Sequence, residues 1–500
     1  MFGTLEQKIN NNPKIKWLNI ILLSLLILAI ILPCIIRIGF KFSIDYNEGW
    51  NVYHGIRAVS EIAFYNDVPK WTPINYPPLS FYFVGFFGKL FGNPLLAGRF
   101  ISILSLIITG FIVADIVRKS GGDSYSSVFS GLFCMALFST YATHYVGMND
   151  PQMLGHVFMM IGFLIYSYSF KNNLFLVALF FSLGLFTKHN LIALPIAVIL
   201  DLLIRSRKDF VKFIISFSLI VLGFLIVVTL ISGNGFVQQV FLTGSRKYSL
   251  MRAIKYSFSW GKYLKIPLLV SIPAVFLAFK NQPFRVVSLY LFISLGAGCY
   301  FSGGSGVDIN IFFDTFISIS ILIGLLFSYL HNNCRVSLKH PNLIGFSLFI
   351  LLTSSILINI PAKGITTNAY ASFQKKEMGF LADAEFLSNY IGPSICENIL
   401  LCYSSGKNFE YDPFNVGQLI YEKRIEEKEI LDKLQSGYFK VIQLNKSLKD
   451  NYFKDSNYGE IKLKGRFTEN FKKALGKYYT LIRKTENGAM YLFKTSSKNE

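Results

Sequence analysis

The chain has 500 residues, of which 52% are hydrophobic and 16% charged, against the roughly 25% charged of a water-soluble globular protein. Together with a mean hydropathy of +0.44, this excludes a chain built only of soluble domains and makes the bilayer the solvent for most of it. The net charge of +20 does not point to nucleic acid, because the Lys and Arg are scattered over short loops between apolar runs. Orientation in the membrane and contact with anionic membrane lipids account for much of it.

The first apolar run, Trp17 to Ile36, is long for a signal-peptide core and is followed by charged residues with no small-residue cleavage site, so it reads as a retained first helix. Eleven spans are predicted, at 17–39, 95–117, 125–143, 150–170, 174–187, 190–204, 211–232, 265–280, 285–302, 310–330 and 342–360. With the N-terminus inside, the basic hinges Arg118-Lys119, Lys171, Arg205 to Lys208, Lys280 to Arg285 and Arg335 to His340 all fall on the cytoplasmic side. Three longer polar segments then lie outside: Lys41 to Pro94, Gly233 to Lys262, and everything after Pro361. In the first of them, Val52 to Ser60 and Leu79 to Phe91 predict short helices, the second at the membrane interface.

From 362 to 500 the chain turns polar, with a helical pattern near Met378 to Tyr390, a β-type run at Ile399 to Tyr403, a charged helix near Tyr421 to Gln435 and a β run at Phe439 to Leu444. The expected fold is a polytopic α-helical membrane protein of about eleven transmembrane helices (1–361, first external loop 41–94). A small extracytoplasmic α/β domain follows (362–500). The six cysteines show no metal-ligand spacing, and Cys34, Cys134, Cys299 and Cys334 fall in or beside apolar runs as packing residues. Cys396 and Cys402 lie in the external tail, where a disulfide is allowed but not required.

The first external loop opens with Asp45-Tyr46-Asn47-Glu48-Gly49-Trp50. Two carboxylates three residues apart at the membrane face can hold a proton, and a partly desolvated one suits a general base; the alternative, two solvated loop carboxylates, stays open. Asp150, before Pro151 where the third span hands over to the fourth, is either a helix N-cap or a catalytic acid, and the roles can coexist. Basic residues on the outer face run against the topology rule: Lys188 between two short spans, then Arg246, Lys247, Arg252 and Lys255. A phosphate ligand gives them a reason, and a basic amphipathic helix over 246 to 262 is the competing reading. Near the tenth span, Asn310 and Asp314 are four apart and share a helix face, as hydrogen-bonding candidates for substrate or as neighbours of a cap at Asp308. His54, His144, His156 and His189 have no metal spacing, so no metal site and no cofactor is predicted, although nothing in the sequence forbids a divalent ion.

In this order and on these topological sides, the segments resemble the C-type glycosyltransferase superfamily. Within it they resemble the bacterial family 39 relatives of protein O-mannosyltransferases and of lipid A aminoarabinose transferases. Asp45 to Trp50 looks like the acidic motif after the first helix, Asn75-Tyr76-Pro77-Pro78-Leu79 like the Pro-Pro-Leu tract, and Gly98-Arg99-Phe100 like the next signature. Asp150-Pro151 is similar to the second acidic motif, Thr187-Lys188 to a Thr-Lys pair, and Asn310 to Asp314 to a late Asn-aromatic-acidic motif.

The resemblance implies a polyprenyl-phosphate sugar donor, inverting transfer to a lipid, glycan or protein acceptor, and catalysis at the outer face of the cell membrane. Glu48, Asp45 and Asp150 are then the catalytic candidates, Lys188, Arg246 and Lys247 the donor-phosphate ligands, and Tyr76, Asn310 and Asp314 the substrate-binding residues. The family often has adjacent Asp-Glu. Here Asn47 precedes Glu48, so alignment favours Glu48 as base while Asp45 remains a candidate. The rival readings are a transporter or lipid flippase, for which an internal pseudo-symmetry is wanted and not found, and an O-antigen-type polymerase, against which the early acidic motif speaks.

Overall fold

The structure, a computed structural model, describes residues 13–66, 68–169, 173–243, 247–277, 282–332, 341–359, 369–448 and 466–494. The membrane part opens with α1 (Pro13–Arg37), α2 (Tyr46–Ser60), α3 (Leu79–Phe91), α4 (Pro94–Lys119), α5 (Ser124–Tyr141) and α6 (Pro151–Ser169). It continues with α7 (Leu174–Thr187), α8 (Ala193–Arg205), α9 (Arg207–Ser232), α10 (Leu250–Leu277), α11 (Gln282–Phe301), α12 (Phe313–Asn332) and α13 (Pro341–Asn359). A helix occupies each of the eleven predicted spans, and six of the apolar segments are long and apolar enough to cross a membrane by length and composition.

Local chemistry sets the helix starts. Asn93, Asp123 and Ser206 each accept a backbone N–H three residues on, and Pro94 follows its cap at the first helical position. The segment Ile309–His331, holding α12, is the hub of the bundle, with 94% of its span buried, whereas only 6% of the α9 span is covered and its apolar side chains face outward. One boundary differs from expectation: α10 starts at Leu250, not near 265, so the basic segment after 250 and the following span are one helix, with Pro267 and Pro273 inside it. Its side chains keep helical spacing across the polar-to-apolar change, which composition alone reads as a boundary.

The C-terminal domain holds α14 (Ala369–Ser388), β1 (Ser394–Cys396), α15 (Ile399–Ser404), α16 (Pro413–Tyr421), α17 (Lys428–Gln435), β2 (Val441–Leu444), α18 (Glu469–Tyr478), β3 (Tyr479–Thr485) and β4 (Gly488–Phe493). The sheet order is β1-β2-β4-β3, with β1 parallel to β2 and the other pairs antiparallel. The run at Ile399 to Tyr403 is a helix and not the expected strand. Its Ile399, Leu400, Leu401 and Cys402 are all buried, and a short run apolar on every side carries no period to tell the two apart. Of the charged helix predicted over 421 to 435 only α17 forms, after a turn over 422–427, while α16 lies before it, capped by Asp412 through the N–H groups of Phe414 and Asn415. Cys396 and Cys402 are joined in a disulfide that ties β1 to α15.

This domain is seated on the first loop of the membrane part. Trp71 lies within the core formed by Ile395, Tyr411, Ile430 and Phe471, while Phe40, Phe42 and Val52 pack with Phe380, Leu387 and Leu400. Burying one tryptophan removes about 150–250 Å2 from water, an upper figure of roughly 4–6 kcal/mol. Gly49 is where α2 meets α15: a Cβ there would lie 2.3 Å from the Leu400 backbone nitrogen, so only glycine permits this approach.

Candidate active site

Two adjoining cavities open where the first loop, the start of α6, the α7–α8 turn and the segment before α12 converge. The larger, about 360 Å3, is lined by Tyr76, Asp150, Lys188, His189, Tyr248 and Asn310 among others. The smaller, about 200 Å3, is lined by Asp45, Trp50, Asp308, Asn415 and Arg466 among others. Asn47, Asn75, Tyr76, Tyr145 and Gly306 line both, so the cavities are two chambers of one cleft.

Lys188 caps the C-terminal end of α7, where the short helix leaves its buried side chain between the bundle and the first loop. Its ammonium lies 3.4 Å from Asp150 Oδ1 and 4.3 Å from the centre of the Tyr76 ring. Asp150 precedes α6 and also accepts the N–H of Gln152, which is its capping role; its Oδ2 has no hydrogen-bond partner among the described residues. The buried pair thus retains an unpartnered acceptor, itself covered, beside a cation that lies over an aromatic ring.

Asp45 caps α2, its Oδ1 accepting the Asn47 N–H at 2.9 Å. Burial raises its carboxyl above the ordinary aspartate value, opposed by that backbone N–H and by Arg466 and His144. Across the chamber, burial also works to raise Asp308, but the hydrogen bond with His144, its charge and the Ile309 N–H outweigh it and hold that carboxyl low.

Glu48, one turn further along α2, points the other way. Both it and Arg99 of α4 are wholly buried, joined by two contacts of 2.7 Å, and Glu48 also accepts the N–H groups of Ile44 and Asn149. Arg99 in turn donates to the carbonyls of Phe40 and Phe42. Glu48, which alignment favoured as the base, lines neither chamber. The reason lies in α4: a guanidinium inside an apolar helix needs a counter-ion, and Glu48 supplies it. Gly98 beside it has Asn149 where a Cβ would be, which lets α4 and the Asn149-Asp150 turn close together.

A family model described as dolichyl-phosphate-mannose-protein mannosyltransferase matches residues 75–232. The structure of ArnT from Cupriavidus metallidurans bound to undecaprenyl phosphate is similar over 95% of this chain and 98% of that one, with a TM-score of 0.58 and 11% identity. The chain therefore shares the fold of that structure. ArnT from the same organism in the apo state aligns over 86% and 93% of the two chains, with a TM-score of 0.56 and 12% identity. The oligosaccharyltransferase AglB of Archaeoglobus fulgidus, in complex with an inhibitory peptide and a dolichol-phosphate, aligns over 94% and 74%, with a TM-score of 0.48 and 8% identity. No curated protein sequence matches the chain.

Within this fold the remaining sequence candidates separate. Asn310 lines the larger chamber and donates to Gln152 Oε1, which leads by Gln152 Nε2 to His156. Asp314 does not line either chamber: it is buried behind this row, accepting the Tyr290 hydroxyl at 2.5 Å with His156 3.6 Å away. Its place in the first turn of α12 turns it toward the bundle and not the cleft. Lys247 is also off the cleft wall, its ammonium donating to the Tyr421 hydroxyl of the C-terminal domain. Arg246 lies outside the described residues. Sequence reasoning missed the cleft residues from the distant tail. Arg466 stacks on the Tyr46 ring at 4.2 Å, Phe414 approaches Gly306, and the Tyr46 hydroxyl donates to Asp412. Among the described residues no group of three or more His, Cys, Asp or Glu is placed to hold a metal ion.

Proposed function

We propose that this multi-pass membrane protein transfers a sugar from a polyprenyl-phosphate carrier to an acceptor hydroxyl, at the outer face of the cytoplasmic membrane. The observation that carries the reading is the two-chamber cleft, with a buried Lys188–Asp150 pair and the Tyr76 ring in one chamber and Asp45 in the other. That an ArnT of this fold is bound to undecaprenyl phosphate supports a lipid-phosphate donor.

In this mechanism Asp45 takes the proton of the acceptor hydroxyl while its oxygen bonds to the anomeric carbon from one face. The carbon–oxygen bond to the carrier breaks on the opposite face, and the phosphate leaves with the electron pair toward the Lys188 ammonium. Asp150 fixes that ammonium. Glu48, through Arg99, holds the first turn of α2 so that Asp45 faces the cleft. An extracytoplasmic C-terminal domain is supported by its disulfide, which persists in oxidising compartments, and by the basic hinges on the opposite side.

The test is transfer of radiolabelled hexose from polyprenyl phosphate in sealed vesicles of both orientations, by wild type and Asp45→Asn. Transfer restricted to one orientation and lost in the folded variant supports the reading. Solute or lipid movement without transfer from any carrier-linked sugar in a donor panel refutes it.

A further inference from the structure

The smaller chamber differs from the larger in chemistry and in origin. It holds two carboxylates, Asp45 and Asp308, against one guanidinium, and that guanidinium already stacks on Tyr46 and faces Glu397 at 3.7 Å. A phosphate or other anion placed there would meet two carboxylates, of which Asp308 is bonded to His144, against the single carboxylate Asp150 beside Lys188 in the larger chamber. Three amide side chains, Asn47, Asn75 and Asn415, line the same wall, with Asn75 donating to Asn415 at 3.2 Å. Asn415 Nδ2 also donates to Asp412, yet each amide has further donor or acceptor capacity, which an apolar alcohol would leave unused and a serine side chain would use little of. Trp50 and Phe414 line the chamber beside the polar groups. Aromatic rings beside hydrogen-bonding groups suit a ring that is apolar on its faces and hydroxylated on its rim. At about 200 Å3 the chamber lies below the roughly 300–1,000 Å3 of pockets for drug-sized ligands, which fits a single such ring.

We infer that the smaller chamber is the acceptor subsite and takes a neutral sugar ring, so that the acceptor is a glycan hydroxyl, with Asn415 and Arg466 of the C-terminal domain setting its selectivity. The inference rests on the transferase reading above and adds the acceptor class to it. Asn415 and Arg466 act as specificity determinants: neither reaches the Lys188 chamber wall, and both come from the domain that closes the cleft.

The experiment uses the full-length protein in lipid nanodiscs and saturation-transfer NMR with neutral methyl hexosides, hexose 6-phosphates, a serine-containing peptide and a long-chain alcohol. Retention of polyprenyl phosphate is measured in parallel on the same samples. The neutral hexosides are expected to take up saturation in the wild type and to lose at least fivefold of it in Asn415→Ala, with retention of polyprenyl phosphate unchanged. Asp308→Asn, which keeps the shape and removes a charge, is expected to let hexose 6-phosphate bind severalfold better, a gain that a misfolded chain cannot show. Preference of the wild type for the phosphate, peptide or alcohol, or no binding of any neutral hexoside, overturns the acceptor assignment while leaving the donor reading intact. So does a folded Asn415→Ala that binds hexosides like the wild type. A wild type that retains no polyprenyl phosphate overturns the transferase reading, and this inference with it.

Discussion

Replacing Glu48 by Gln separates a structural carboxylate from a chemical one. Each Glu48 oxygen accepts two donors, Arg99 Nε and the Asn149 N–H on one side, Arg99 Nη2 and the Ile44 N–H on the other. An amide nitrogen in either position would face two donors, and the Arg99 charge would be left buried without its counter-charge. Breaking a buried pair of this kind costs about 3–5 kcal/mol, a large share of a total stability of roughly 5–15 kcal/mol. Glu48→Gln and Arg99→Met are each expected to lower the temperature at which the detergent-solubilised protein stops eluting as a single species, compared at one heating rate because such unfolding is often irreversible. The Glu48→Met/Arg99→Met double variant is expected to be more stable than either single one, since it removes both charges together. If Glu48→Gln instead melts with the wild type, binds polyprenyl phosphate and has lost all turnover, Glu48 acts on the reacting atoms and the assignment of Asp45 as base is wrong.

Asp45→Asn is expected to keep wild-type melting and lose about 10²–10⁴ in turnover, measured with carrier-linked sugar. Because burial raises the Asp45 carboxyl in the folded chain, the wild-type acid limb should lie above the ordinary aspartate range. The same shift means that the folded state holds this proton more tightly, so the Asp45 contribution to stability falls as pH rises through that window. Lys188→Met is expected to weaken polyprenyl-phosphate binding about ten- to hundredfold, the loss of one charge-assisted partner, whereas Lys188→Arg should restore part of it. Cys396→Ser/Cys402→Ser, opening a loop of sequence separation 6, should cost roughly 2 kcal/mol and hasten proteolysis of the C-terminal domain; because both cysteines are buried, maleimide should label the wild-type pair in denaturant, and only after reduction. Transfer should persist in EDTA, since Lys188 supplies the cationic stabilisation in the proposed mechanism; its abolition and rescue by a divalent ion would refute that role.

The bundle was legible because each span carries its own signal: a run of apolar residues bounded by polar hinges, with Asn93, Asp123 and Ser206 marking starts. Asp45, Asp150 and Lys188 stood out for a related reason, as charges at positions where lipid or interior makes charge costly. What was not legible was orientation. Asp45 and Glu48 are three apart at the start of one helix, and only the position of Arg99, 51 residues on, decides which of them turns inward. A lone Arg in an apolar span does announce that some carboxylate must meet it, but not which one. Asn415 and Arg466 carry no local signal, because their place in the cleft is set by how the tail docks on residues more than 300 positions earlier.

That docking also sets a timetable for biosynthesis. Tyr46 meets Asp412 across 366 residues and Trp71 meets Glu429 across 358. At about 5–20 residues per second, roughly 20–70 s separate the emergence of the first loop from that of its partners. Throughout that interval Trp71, Phe40 and Phe42 lack the residues that cover them in the finished protein. A ribosome stalled before Phe414 emerges leaves a bundle whose smaller chamber lacks the side chains of Phe414, Asn415 and Arg466, while every residue lining the Lys188 chamber is already made.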